Sequence, residues 1–151
     1  MKPLVVLLGA FIISLLVFYF VRHSWQWSAA GRIGMSAMLL FTAIGHFAFS
    51  DGMQMMMPKA FPFKKALVLI TGFIEIAAAI GLVLTYWHVT TGWWLIAFFI
   101  GILPANISAA LRHVNYQKAT NSGNGPAYLW FRVPLQLFFI AWVYWFAIHP
   151  S

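Results

Sequence analysis

Cysteine is absent from the 151-residue chain, and acidic residues are nearly absent, with only Asp51 and Glu75 present. Without thiols, the chain itself can supply no disulfide, thiolate metal site, iron–sulfur ligation or dithiol redox chemistry. Charged residues make up only 7% of the chain, whereas a soluble globular domain carries about 25%. Water is therefore not expected to be the main solvent of this protein.

Long apolar stretches dominate what is present. A spanning helix needs about 20 apolar residues, because each residue rises 1.5 Å and the hydrocarbon core is about 30 Å thick. Five stretches qualify, at approximately residues 3–21, 28–50, 64–86, 91–111 and 126–148. None alternates as a barrel strand would, so helices must satisfy the backbone. We predict an all-α polytopic membrane helical bundle that forms a single transmembrane domain over residues 1–151, with the first stretch retained as a helix.

Basic and tryptophan residues predict how this bundle is oriented, because lysine and arginine favour the cytoplasmic side and tryptophan favours an interface. With five spans, most of the basic residues lie on one side of the membrane, and only Arg22 and Arg32 lie on the other. Seven of the eight tryptophans lie on the same side as these two arginines. We therefore predict a multi-pass protein of the cytoplasmic (inner) membrane, with its amino terminus inside and its carboxyl terminus outside. The net charge of +7 is scattered, so the predicted partner is the lipid bilayer and no nucleic acid.

Small residues and one proline predict how the helices pack. Spacings of four residues predict seams of close helix contact at Gly101, Ala105 and Ala109, at Ala77 with Gly81, and at Ala30 with Gly34. Pro104 should free a backbone carbonyl of the preceding turn, for which Asn106 or Ser108 is the expected partner.

A few polar residues inside the predicted spans are the candidate functional residues. Counted from the cytoplasmic ends at 1.5 Å per residue, they lie roughly 6 to 17 Å deep. They are His46, Thr71, Glu75, Asn106, Arg132 and Gln136. Ionisable groups at such depth are costly, and they usually face the bundle interior or mark a functional site.

We hypothesise that these side chains form one polar cluster in the cytoplasmic half, with Arg132 or His46 as the partner of Glu75. Two interpretations remain open. The cluster is either a ligand site for a polar headgroup, a proton or a quinone-like ring, or an internal ion pair that sets the helix register.

The methionine-rich segment Met53–Met57 also allows two interpretations. Thioethers are soft ligands that suit copper(I), but flexible methionines beside Lys59 and Lys64 are typical of the lipid headgroup region, and we favour this second interpretation. A haem held by two axial histidines would need them at matching depth, and the sequence offers no such pair. We therefore predict no metal site, and the sequence identifies neither catalytic residues nor a cofactor.

Taken together, these motifs resemble the DoxX-like family of small integral membrane proteins. The similarity extends from Arg32 to Trp145. Its motifs are Gly45-His46-Phe47, Met57-Pro58 with Pro62, Thr71-Gly72, Glu75-Ile76, Pro104-Ala105-Asn106, Arg132 and Pro134-Leu135-Gln136. The resemblance implies a four-helix core to which residues 3–21 add an amino-terminal transmembrane helix.

The resemblance also implies a range of functions, because DoxX-like proteins include a subunit associated with a thiosulfate:quinone oxidoreductase, components of membrane redox defence and more distant assembly chaperones. Our first hypothesis is an accessory subunit that binds a quinone-like or lipid ligand near Glu75 in support of a membrane redox complex. The alternative is a non-catalytic assembly scaffold or chaperone for another membrane protein. The expected protein partner is another membrane protein or a second copy of this chain. A proton-coupled transporter ranks third, because no inverted repeat is evident.

Overall fold

A computed structural model describes residues 2–149, and every named element in it is a helix. The elements are α1 (Lys2–Arg22), α2 (Trp27–Ala48), α3 (Ser50–Met56), α4 (Lys64–Val83), α5 (His88–Leu111) and α6 (Leu129–Val143). A 3-10 turn, Pro126–Tyr128, precedes α6, and a π turn, Tyr144–Ile148, follows it. All of these helices except α3, taken with the turns that flank α6, are long and apolar enough to cross a membrane. The predicted all-α class is confirmed.

The segment after the second long helix differs from its prediction. Residues 28–50 were expected to be one span followed by a loop, but α2 ends at Ala48, and the backbone of Phe49 leaves the helical region with φ −119° and ψ 33°. A separate short helix, α3, then carries Met53, Met55 and Met56. The backbone N–H of Met53 donates to the Phe49 carbonyl at 3.0 Å, which starts the new helix across the break.

The four long helices α2, α4, α5 and α6 form a ring, with α2 against α4, α4 against α5, α5 against α6, and the π turn of α6 closing back onto α2. Helix α1 packs on the outside of α2. There Phe11 meets the ring of Trp142 edge-on, with centroids 5.0 Å apart. Because successive long helices run in opposite directions, the two ends of the bundle differ in composition. We name them the lysine end, which contains Lys2 and Lys64, and the tryptophan end, which contains Trp27 and Trp87.

The apolar core fills the middle of the bundle and the half nearer the tryptophan end. It is built from side chains of all five long helices, namely Leu7, Met35, Met38, Leu39, Ala79, Leu82, Leu95, Phe99, Phe139, Val143 and Ala147. Toward the lysine end, the buried residues include small and polar ones, such as Gly72, Glu75, Asn106 and Gln136. The half of the bundle nearer the lysine end therefore contains most of the fully buried polar residues, while Ser36 lies toward the tryptophan end.

The glycines of two of the three predicted small-residue seams lie at close helix contacts. A methyl group on Gly34 would lie 2.9 Å from the Leu7 carbonyl oxygen of α1, and one on Gly81 would overlap Thr91 of α5. Gly101 is different, because it is exposed and a methyl group there would meet nothing within 4 Å. The third seam therefore fails at Gly101, although Ala109, eight residues further along α5, is buried.

Candidate functional site

His46 of α2 and Glu75 of α4 face each other, with His46 Nε2 3.5 Å from Glu75 Oε1. The Glu75 side chain is only 6% exposed, whereas that of His46 is 18% exposed. The other ring nitrogen, His46 Nδ1, lies 3.0 Å from the Val68 carbonyl oxygen and 3.1 Å from Thr71 Oγ1. Both ring nitrogens of His46 are therefore engaged with α4.

The hydrogen positions in this group follow from the acceptors. The Val68 carbonyl can only accept, so His46 Nδ1 carries a proton and donates. Thr71 Oγ1 donates its own hydrogen to the same carbonyl at 2.7 Å, which leaves its lone pairs facing Nδ1. His46 Nε2 then faces Glu75 Oε1. The site places an imidazole beside a carboxyl group, two groups that can exchange protons with a ligand.

Glu75 Oε2 is the unsatisfied atom of the site. It is buried, and no hydrogen-bond donor approaches it among residues 2–149. A buried acceptor without a donor costs about 1 to 3 kcal/mol, and more when it is charged. Such an atom in a protein interior calls for a partner from outside the described chain, such as a water, an ion or a ligand.

Gly72 explains how His46 comes so close to α4. A methyl group on Gly72 would lie 2.9 Å from His46 Cβ and 3.3 Å from Cζ of the Phe47 ring. Only glycine leaves room for α2 to lie against α4 at this height. The Thr71-Gly72 pair therefore combines a hydrogen-bonding group with the space that the histidine needs.

A second polar network joins α5 to α6. Arg132 Nη2 donates to Asn106 Oδ1 at 2.8 Å, and Asn106 Nδ2 donates to Gln136 Oε1 at 3.5 Å. Gln136 Nε2 in turn donates to the Phe99 carbonyl at 3.0 Å. Each amide oxygen accepts and each amide nitrogen donates, so the side chains of Asn106 and Gln136 have partners within the network.

This network ends on the backbone close to Pro104. Proline lacks an N–H group, so the carbonyl four residues earlier, that of Ile100, loses its helical donor. The network ends one residue before it, where the Phe99 carbonyl accepts from Gln136 of α6. The expected donors to the freed carbonyl, Asn106 and Ser108, bond other groups in the described chain, since Asn106 Nδ2 donates to Gln136 and Ser108 Oγ accepts from Arg112 Nε at 3.2 Å.

The six predicted site residues thus form two groups where one cluster was expected. His46, Thr71 and Glu75 lie between α2 and α4, while Asn106, Arg132 and Gln136 lie between α5 and α6. No hydrogen bond or ion pair joins the two groups in the described part of the chain. Of the two partners suggested for Glu75, the structure pairs it with His46, and Arg132 bonds to Asn106.

Comparison with known families gives one result. Residues 35–147 match a family described as a domain of unknown function, DUF8561. The chain belongs to this family. The matched DUF8561 region covers about three quarters of the chain and contains both polar groups. No curated protein and no solved structure matches the chain.

The bounds of the DUF8561 region are informative. It begins at Met35 in the third turn of α2 and ends at Ala147, so it includes most of the four ring helices and leaves out α1. The four-helix core with an added amino-terminal helix, and the resemblance to DoxX-like proteins that implies it, stay predictions.

Two polar features of the interior were not predicted from the sequence. The first is Arg32, which was counted as a charge flanking a span but lies inside α2 with Nε and Nη1 buried. The second is the Val68 carbonyl, a backbone group that no side-chain pattern reveals. A signal for Arg32 did exist, because Arg32, Leu39 and His46 are spaced by seven residues and therefore share a helix face.

The methionine-rich segment is fixed to the end of α5. Arg112 Nη2 donates to the carbonyls of Met56 and Met57 at 3.0 and 2.9 Å. Among the described residues, no three His, Asp or Glu side chains come together at a site that could hold a metal. These contacts make the segment part of the lysine-end surface of the bundle.

Proposed function

We propose that this DUF8561 protein is an accessory membrane subunit that binds a quinone-like or lipid ligand through Glu75, in support of a membrane redox complex. One observation supports this proposal most strongly. Glu75 Oε2 is a buried hydrogen-bond acceptor with no donor among residues 2–149, although Oε1 of the same carboxylate is paired with His46. A hydroxyl group of a ligand would satisfy this atom.

The chemistry of the site suits a ligand that exchanges protons. An imidazole and a carboxyl group that lie side by side can give protons to a ligand hydroxyl or take protons from it. The chain contains no cysteine and no described metal-binding cluster, so any electrons would pass through the ligand or a partner protein. This is why the proposed role is binding and proton handling within a larger complex.

A comparison of ligand retention tests the proposal. Glu75→Gln replaces one carboxylate oxygen by an NH₂ group, which donates where Oε2 accepted. The matched control is Asp51→Asn, since Asp51 is the only other acidic residue and is exposed. Native mass spectrometry and an absorption spectrum of gently solubilised protein should show a bound small molecule in the wild type and in Asp51→Asn, and not in Glu75→Gln. Equal retention in all three would refute the ligand role of Glu75.

An assembly scaffold is the second candidate, and the network between α5 and α6 favours it. Asn106 and Gln136 find their partners inside the protein, so they need no ligand, and such a network can fix helix register. A scaffold predicts a stoichiometric protein partner that co-purifies equally with the wild type and with Glu75→Gln. Loss of that partner in Glu75→Gln would instead link assembly to the ligand site.

The orientation in the membrane is part of the same proposal, with the lysine end in the cytoplasm. The absence of native cysteine makes single-cysteine labelling clean. Ser122→Cys lies in the exposed loop at the lysine end and Tyr86→Cys in the exposed turn at the tryptophan end. An impermeant thiol reagent applied outside intact cells should label Tyr86→Cys only. Labelling of Ser122→Cys alone would reverse the orientation.

A further inference from the structure

Arg32 is a half-buried cation that has no counterion among residues 2–149. It lies in the second turn of α2, and its Nε and Nη1 atoms are buried without a hydrogen-bond acceptor in the described chain. A guanidinium group cannot be deprotonated in a protein, so partial burial does not remove its charge. Taking two of its nitrogen atoms out of water without a partner is costly.

The position of Arg32 directs it to the interior at the tryptophan end. Arg32, Leu39 and His46 recur every seven residues on α2, so they share one face of the helix. Leu39 on that face is completely buried, and His46 Nε2 lies 3.5 Å from Glu75 Oε1 of α4. One turn beyond Arg32, Ser36 Oγ donates to the Ala79 carbonyl of α4 at 2.8 Å, which fixes the same side of α2 against α4.

Neither acidic side chain of the protein can neutralise Arg32. Glu75 is paired with His46, on the part of the shared face nearer the lysine end, with the apolar core between. Asp51 lies at the lysine end, where it is exposed and accepts from Gln54 Nε2 at 3.3 Å. Any negative charge that compensates Arg32 therefore comes from outside residues 2–149.

We propose that Arg32 anchors an anion site at the tryptophan end of the bundle and that its ligand is a phosphate group. The planar guanidinium fork matches the oxygen geometry of phosphate, and it is the side chain most suited to a partly buried phosphate contact. Arg32 lies five residues from the start of α2, about 8 Å along the helix. At that depth, the phosphate of a lipid headgroup and a dissolved phosphate can both reach it. This site is separate from the ligand site at Glu75.

Two probes distinguish the source of the phosphate. Short-chain phosphatidylglycerol and inorganic phosphate are each titrated into the purified full chain in neutral detergent, with native mass spectrometry and thermal unfolding as readouts. The variant is Arg32→Gln, and the matched control is Arg22→Gln, an exposed arginine at the same end. Binding of phosphatidylglycerol that is about tenfold weaker in Arg32→Gln and unchanged in Arg22→Gln identifies a lipid phosphate. The same pattern with inorganic phosphate identifies a dissolved phosphate.

Other outcomes overturn the proposal. If the wild type binds neither probe, or if Arg32→Gln binds both as tightly as the wild type, Arg32 is not a phosphate anchor. Should Arg32→Gln fail to fold, Arg32→Lys replaces it, because that variant keeps the charge and loses the planar fork. About threefold weaker binding by Arg32→Lys then supports the site. Binding equal to that of the wild type contradicts it.

Discussion

The contact between α2 and α4 at Gly72 allows a prediction with a calculable size. In Gly72→Ala, the new methyl carbon would lie 2.9 Å from His46 Cβ and 3.3 Å from Phe47 Cζ. Carbon atoms normally rest about 3.5 to 4.0 Å apart, so the helices must separate or His46 must shift by roughly 0.6 Å or more. Overpacking of this kind costs about 1 to 3 kcal/mol.

The control for this substitution is Gly45→Ala. A methyl group there meets only Met53 Cε, at an ordinary 3.5 Å, so it gains the helix preference of alanine without overpacking. That preference is worth about 1 kcal/mol, and Gly72→Ala gains it as well, so it cancels in the comparison. We expect the free energy of unfolding of Gly72→Ala to lie about 1 to 3 kcal/mol below that of Gly45→Ala.

The assay is unfolding by sodium dodecyl sulfate titration in mixed micelles, followed by helix content. Ligand retention provides a second readout, because displacement of His46 removes the partner of Glu75 Oε1. Gly72→Ala should lose bound ligand, and Gly45→Ala should keep it. Equal stability of the two variants, together with equal ligand retention, would refute the close packing of His46 on α4 as the basis of the site.

Three further substitutions test the remaining contacts. Gln136→Leu removes the donor to the Phe99 carbonyl and should lower the free energy of unfolding by about 0.6 to 2 kcal/mol, with ligand retention unchanged. Loss of the ligand in this variant would show that both polar groups contribute to one ligand site. Ser36→Ala removes one interhelical hydrogen bond to Ala79 and should cost about 0.6 kcal/mol in the same titration, and a loss above 2 kcal/mol would contradict a single-bond role. Arg112→Met removes both donations to the methionine segment, so backbone amides of residues 53–61 should exchange hydrogen faster; unchanged exchange would show that Arg112 does not fix this segment.

Much of the fold could be predicted because the lipid environment imposes a length. Helices α1 and α4 start within one residue of their predicted positions, and α5 ends at the predicted Leu111, since apolar runs must match the bilayer thickness. Predictions failed where the bilayer imposes no such constraint. The turn between α4 and α5 lies about three residues earlier than expected, because Leu84 and Val89 are apolar whether or not they are helical.

The site could be predicted only in part, because depth along a helix follows from sequence whereas the choice of neighbour does not. Glu75 and Gln136 were expected at similar depth, yet one faces α2 and the other faces α5. Which helices adjoin in the ring decides the partner, and residue spacing within one helix carries no information about that order. The unsatisfied Glu75 Oε2 and the unpaired Arg32 nitrogens can be identified only from the three-dimensional structure, which shows whether each buried polar atom has a hydrogen-bond partner.

The most direct measurement is an experimental structure of the protein crystallised in a lipidic mesophase from gently solubilised material. We predict non-protein density within about 3.2 Å of Glu75 Oε2, a hydrogen-bond distance, while Oε1 stays paired with His46. A carboxylate turned toward the lipid, or an Oε2 atom satisfied by another side chain of the protein, would contradict the account.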